Sequence, residues 1–139
     1  MRKERGYNLF LSVVGIFILC AALFAYHMPS LPKGGEYTLY MGTSSSAQRV
    51  PTDAPWRDCL LLPVKGESVC LSGNRYEEMK ERYCAVLQFK EEVNGIVNYY
   101  LYSPYLGETV LLDGYRVNLH VAQTDEKTAV GTPLIFGGY

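Results

Sequence analysis

The sequence reads as an α+β protein: one N-terminal transmembrane helix, then a small antiparallel β-sheet domain with one principal helix packed on it. Three observations carry that reading. Tyr7–Tyr26 is an apolar run without a charge. Beyond residue 85, hydrophobicity alternates with period two around the turn pairs Asn94-Gly95 and Asp113-Gly114. Between these regions, one stretch after Asn74 places apolar residues at helical spacing.

Composition narrows the function classes. Of the 139 residues, 48% are hydrophobic and 19% charged, too apolar a balance for a disordered chain. Thirteen basic against 14 acidic residues leave a net charge of −1, without the cationic excess of a nucleic-acid binder.

The 20 residues of Tyr7–Tyr26 span about 30 Å as a helix, the hydrocarbon thickness of a bilayer. Tyr7 and Tyr26 stand at its ends, where amphipathic rings favour the headgroup layer. Ser12 can satisfy its hydroxyl on a carbonyl one turn back. Arg2, Lys3 and Arg5 precede the run and only Lys33 closely follows it, which keeps the N-terminus cytoplasmic and sends the rest outside. A cleaved signal peptide competes with this anchor. Its apolar region is usually shorter, Leu23-Phe24-Ala25 is a mediocre cleavage site, and Phe17-Ile18-Leu19-Cys20 is a poor lipoprotein box because Leu19 is large. The expected boundaries are a cytoplasmic stub at 1–6, an anchor at 7–26, a linker at 27–35 and an extracytoplasmic domain at 36–139. His27 falls at the membrane interface. Pro29, Pro32 and Gly34-Gly35 make the linker unfit to continue the helix. Residues 34–139 hold 9 basic and 13 acidic residues, so the head carries −4 and repels nucleic acid.

Within the head, Glu36–Met41 alternates and suits a strand. Residues 43–58 read as a loop, Cys59–Val64 as a short apolar strand, and Glu67–Leu71 as another. Asn74 then caps the principal helix, with Glu77 completing a box and Tyr76, Met79, Tyr83 and Cys84 or Ala85 on one face. Val86–Glu91 and Ile96–Tyr102 flank Asn94-Gly95 as one hairpin. Thr109–Leu112 and Tyr115–Ala122 flank Asp113-Gly114 as a second. On the last strand Tyr115, Val117, Leu119 and Val121 face the core, and Arg116, Asn118 and His120 the solvent. Thr128–Phe136 closes the sheet, bent by Gly131 and Pro133.

Cys20 lies in the anchor, leaving Cys59, Cys70 and Cys84 in the head. One disulfide among these three is compatible with an oxidising compartment. Their apolar neighbours equally suit small buried free thiols.

The catalytic signatures fail in turn. Gly66-Glu67-Ser68-Val69-Cys70 starts as a nucleophile elbow but lacks the closing glycine. Ser30-Leu31-Pro32-Lys33 matches a Ser-x-x-Lys pattern only by chance, in the linker. Glu77/Glu78, Glu91/Glu92 and Asp125/Glu126 are sequence neighbours whose side chains point apart. No metal-ligand spacing or cofactor-binding motif is found, so no catalytic residue, metal or cofactor is assigned. Ten of the 12 tyrosines lie in the head, with Tyr99, Tyr100, Tyr102 and Tyr105 close together. They suit strands, and they also suit interfaces. The expected contact face comprises Arg116, Asn118, His120, Tyr100 and Tyr102.

One resemblance follows. Tyr99–Pro104, then Gly114 with Val117-Asn118-Leu119-His120-Val121-Ala122, then Val130-Gly131-Thr132-Pro133-Leu134-Ile135, resembles the C-terminal end of YwmB-type proteins. These are exported proteins of spore-forming Firmicutes with a TATA-box-binding-like fold. The resemblance covers residues 66–139; residues 36–64 have no counterpart in it. It implies a helix against a curved antiparallel sheet and an extracytoplasmic, envelope- or sporulation-related role, and supplies no active site. The expectation is therefore a single-pass interaction or assembly domain, not an enzyme. Its partners would be the bilayer, through Tyr7–Tyr26, and another envelope protein. The alternative is a small envelope enzyme, or an exported protein, with an unrecognised site.

Overall fold

The computed structural model describes residues 2–26 and 28–137, without the side chains of residues 2–5; His27 therefore lies outside the described residues. Helix α1 runs Arg2–Tyr26. Its Gly6–Tyr26 portion, 21 residues, is long and apolar enough to cross a membrane and is not buried against the head. Ser12 donates its hydroxyl to the Asn8 carbonyl at 2.9 Å, so the one serine hydroxyl in the helix is satisfied internally.

The head is an antiparallel sheet with short helices, the α+β arrangement expected. Its strands are β1 (Glu36–Tyr40), β2 (Arg49–Thr52), β3 (Gly66–Ser72), β4 (Val86–Val93), β5 (Ile96–Tyr102), β6 (Val110–Leu112), β7 (Tyr115–Val117), β8 (Leu119–Gln123) and β9 (Lys127–Thr132). Seven form one sheet in the order β2-β1-β3-β9-β8-β5-β4, and β6 pairs with β7 as a separate ribbon. The first hairpin closes as its turn residues require. Val93 pairs with Ile96, and Asn94 and Gly95 take φ of 53° and 79°, the left-handed geometry that Asn-Gly tolerates.

Two helices of seven residues replace the single principal helix. The second, α3 (Tyr76–Arg82), buries Met79 as its spacing indicates. Asn74 Oδ1 accepts the Tyr76 N–H at 3.2 Å, but Arg75 is the capping position and no side-chain cap bond forms. Glu77 instead turns outward toward Lys80. The first, α2 (Pro55–Leu61), occupies a stretch read as loop and then strand. Pro55 sits in its first turn, where a missing N–H costs nothing, and Pro55 and Cys59 face inward. The loop reading of residues 43–58 also overlooked β2, which is short and contains Pro51, as edge strands tolerate.

Register defines the two faces of the sheet. Opposed pairs Tyr37/Val69, Val69/Val130, Val130/Val121 and Val121/Tyr99 share one face. With Leu39, Leu101 and Leu119 they pack under Cys59 of α2, Met79 of α3 and Leu31 of the linker. The other face carries Tyr40, Ser68, Gly131, His120, Tyr100 and Phe89. It is also covered. Tyr115 of β7 lies against Phe89 at 5.4 Å between ring centres, and Phe136 meets Tyr40 edge-on at 5.5 Å. The chain leaves β9 through a cis peptide bond before Pro133 and runs back across this face.

Candidate functional site

The head meets helix α1 at a cleft of about 380 Å³. Tyr26 and Met28 line it from the α1 side, Cys59 from α2 and Leu62 just after it, Glu67 from β3, and Glu108 from the loop before β6. Glu67 sits on the core face opposite Leu39, where alternation would place an apolar residue. It is buried, and a buried carboxylate must be partnered. Its Oε1 accepts the Ser30 backbone N–H at 2.6 Å. Burial raises the Glu67 carboxyl above its ordinary value, and the N–H groups of Ser30 and Leu31 partly offset that. Tyr83 adds a second tie, donating its hydroxyl to the Ser30 carbonyl at 2.7 Å. Leu31 and Pro32 are buried against the head. Residues 30–32 are therefore a docked strap rather than a free spacer.

The chemistry this cleft supports is limited. Burial, then the charges of Glu67 and Asp58, pushes the Cys59 thiol up to about 11, which suppresses the nucleophilic thiolate. Burial, then Glu67, holds the Tyr37 hydroxyl protonated well above the usual phenol range. Tyr37 feels the Glu67 charge without forming a hydrogen bond of bonding geometry. Ser68, the serine of the failed elbow, is buried and shares a 2.9 Å hydrogen bond with the Tyr40 hydroxyl. Among the described residues, no group of three His, Cys, Asp or Glu side chains is placed to hold a metal.

The expected contact face is rearranged. Asn118 and His120, read as solvent-facing, are buried. The physical reason is the break between β7 and β8. The strand read as continuous from Tyr115 to Ala122 splits at Asn118, so β7 folds over the sheet while β8 enters its interior. His120 Nδ1 accepts the Ile135 N–H at 3.3 Å. That leaves its Nε2 proton for Asn98 Oδ1 at 3.0 Å, which fixes the neutral tautomer. Burial lowers its pKa to about 4. Tyr100 stacks on the His120 ring at 4.6 Å and on Phe89 at 4.4 Å. Asn118 turns elsewhere: it accepts the Ser103 N–H at 2.7 Å and donates to the carbonyls of Ser103 and Leu106 at 2.7 and 3.2 Å. Arg116 stays exposed, its guanidinium 4.8 Å from the Tyr102 ring centre. Of the five residues, the structure joins Tyr100 to His120 and Arg116 to Tyr102, and makes Asn118 a loop support.

Of the two states open to Cys59, Cys70 and Cys84, the structure has the free thiols: none of the three is in a disulfide. Cys59 is buried in α2, Cys70 is half-buried in β3, and Cys84 is exposed after α3 with φ 46°. Sequence reasoning missed Glu67 as a site residue. The available signal was a carboxylate in register with Val69 and Leu71 on one face of a strand. Comparison with protein-family models, curated proteins and solved structures found no match.

Proposed function

We propose that this chain is a single-pass membrane protein with its N-terminus in the cytoplasm, presenting the α+β head outside as an interaction or assembly module. The observation that carries the reading is helix α1, whose apolar Gly6–Tyr26 portion buries nothing against the head. An apolar surface of that length is stable only in a bilayer or against other apolar surface. Arg2, Lys3 and Arg5 supply the orientation. The cleft favours recognition over catalysis, because its thiol is held protonated and its carboxylate is engaged by the strap. The resemblance to YwmB-type proteins adds an envelope- or sporulation-related setting, with another envelope protein as partner.

A topology reporter fused after Tyr139 tests the orientation. It is expected to be active outside the cytoplasm; activity confined to the cytoplasm would overturn the reading. Mass spectrometry of the mature chain tests the anchor. A mature N-terminus near Tyr26 would make this an exported protein instead.

A further inference from the structure

The outer face of α2 exposes three large apolar side chains around Arg57, whose guanidinium pairs with Asp58 at 3.0 Å. Trp56 is 47% exposed, Leu60 40% and Leu61 74%. Trp56 and Leu60 are four residues apart and so share one helix face. The inner face is already used by Pro55 and Cys59, so core packing does not explain the outer residues. The location of this face names its occupant. Leu62, next to Leu61, lines the same cleft as Tyr26, the last residue of the membrane helix. The Ser30–Glu67 hydrogen bond then sets the reach of the tether. Four residues from Tyr26 to Ser30 extend at most about 14 Å, a short distance beside a bilayer of roughly 40–45 Å with its headgroups. The head therefore cannot stand away from the surface its anchor enters.

We infer that Trp56, Leu60 and Leu61 dock the head on the outer leaflet, with the indole at headgroup depth. The inference rests on α1 being a membrane anchor. The contact is apolar rather than electrostatic, since the head carries 9 basic against 13 acidic residues. Trp and Leu on a short interfacial helix suit that depth, the indole body entering the acyl boundary while its N–H stays hydrated. The docked face would hold the cleft at a set height above the bilayer.

Trp56 is the single tryptophan of the chain, which makes its fluorescence a specific reporter. The full chain would be reconstituted in phosphatidylcholine vesicles with bromine either near the headgroup or deep in the acyl chains. The expected result is flotation with the vesicles after carbonate washing, a blue-shifted emission, and stronger quenching by the shallow bromine than by the deep one. The Leu60→Glu/Leu61→Glu variant, changing exposed side chains, should still float but lose that quenching. Flotation without quenching by either lipid would overturn the docking inference and leave the anchor intact. Protection of Trp56 from acrylamide without lipid quenching would put protein, a second copy included, on the face, and would equally overturn it. Release by carbonate would remove the anchor reading and the docking inference together.

Discussion

The Glu67 carboxylate and the Ser30 backbone N–H meet at 2.6 Å and join the strap that follows helix α1 to the third strand of the sheet. A charged side chain in the core face thus serves the junction between α1 and the head. Tyr83 reinforces it from α3 by donating to the Ser30 carbonyl.

Removing that acceptor should loosen the strap. Glu67→Ala removes the partner of the Ser30 N–H in a part-buried hydrogen bond and is expected to cost about 1 kcal/mol. Hydrogen exchange at residues 30–32 should accelerate more than exchange in β8. Glu67→Gln keeps an acceptor and abolishes the charge. The folded Glu67 carboxyl is raised by burial, so its contribution to stability is complete below the unfolded pKa and is lost as pH rises through the folded one. The melting temperature of Glu67→Gln relative to wild type should therefore increase from pH 4 to pH 7.

His120 acts in the opposite sense. Burial depresses its pKa from 6.5 to about 4. Its contribution is complete above the unfolded value and is lost as pH falls from 6.5 through 4. The loss should approach about 3 kcal/mol. His120→Gln should flatten this part of the acid limb in denaturant titrations of the detergent-solubilised chain at pH 7 and pH 4. An unchanged acid limb would show that His120 does not carry it.

Asn118→Ala should destabilise the head by about 2–4 kcal/mol, because it strips partners from the Ser103 N–H and the Ser103 and Leu106 carbonyls. Ser103 also donates its hydroxyl to the Tyr83 carbonyl at 2.6 Å, so the loosening should reach α3. Faster hydrogen exchange at residues 103–106, together with a lower melting temperature, is the expected signature.

Gly131 is required by close approach rather than by backbone conformation. A Cβ there would stand 2.6 Å from Ile135 Cγ1 and 2.8 Å from Ile135 N. Gly131→Ala should displace the segment that crosses the second face, break the Ile135–His120 hydrogen bond and cost about 1–3 kcal/mol. A histidine pKa rising toward 6.5 in NMR titration would report the opened cover.

Much of the sheet is legible locally. Alternation marks β1, β3, β4, β5 and β9, and Asn94-Gly95 sets the register between Val93 and Ile96. The helix α2 is harder, because seven residues with two inward positions give too few repeats for a periodicity. The candidate site is less legible still. Glu67 lies on the core side of β3, yet the donor that satisfies it is 37 residues away.

By itself the sequence determined the apolar span of α1, the class of the head, its hairpin turns and the −4 charge beyond the linker. Each follows from neighbours within a turn or a strand. Only the tertiary structure decided which faces are wet. Period two says that Asn118 and His120 oppose the core side, but not whether a second layer covers them. That depends on the split at Asn118 and on Ile135 and Phe136 folding back onto His120 and Tyr40. Likewise Pro29, Pro32 and Gly34-Gly35 end a helix by local sterics, whereas the docking of the strap needs Glu67 and Tyr83 brought to it by the fold. Burial is a property of pairs distant in the chain, and local pattern carries no information about the second member of the pair.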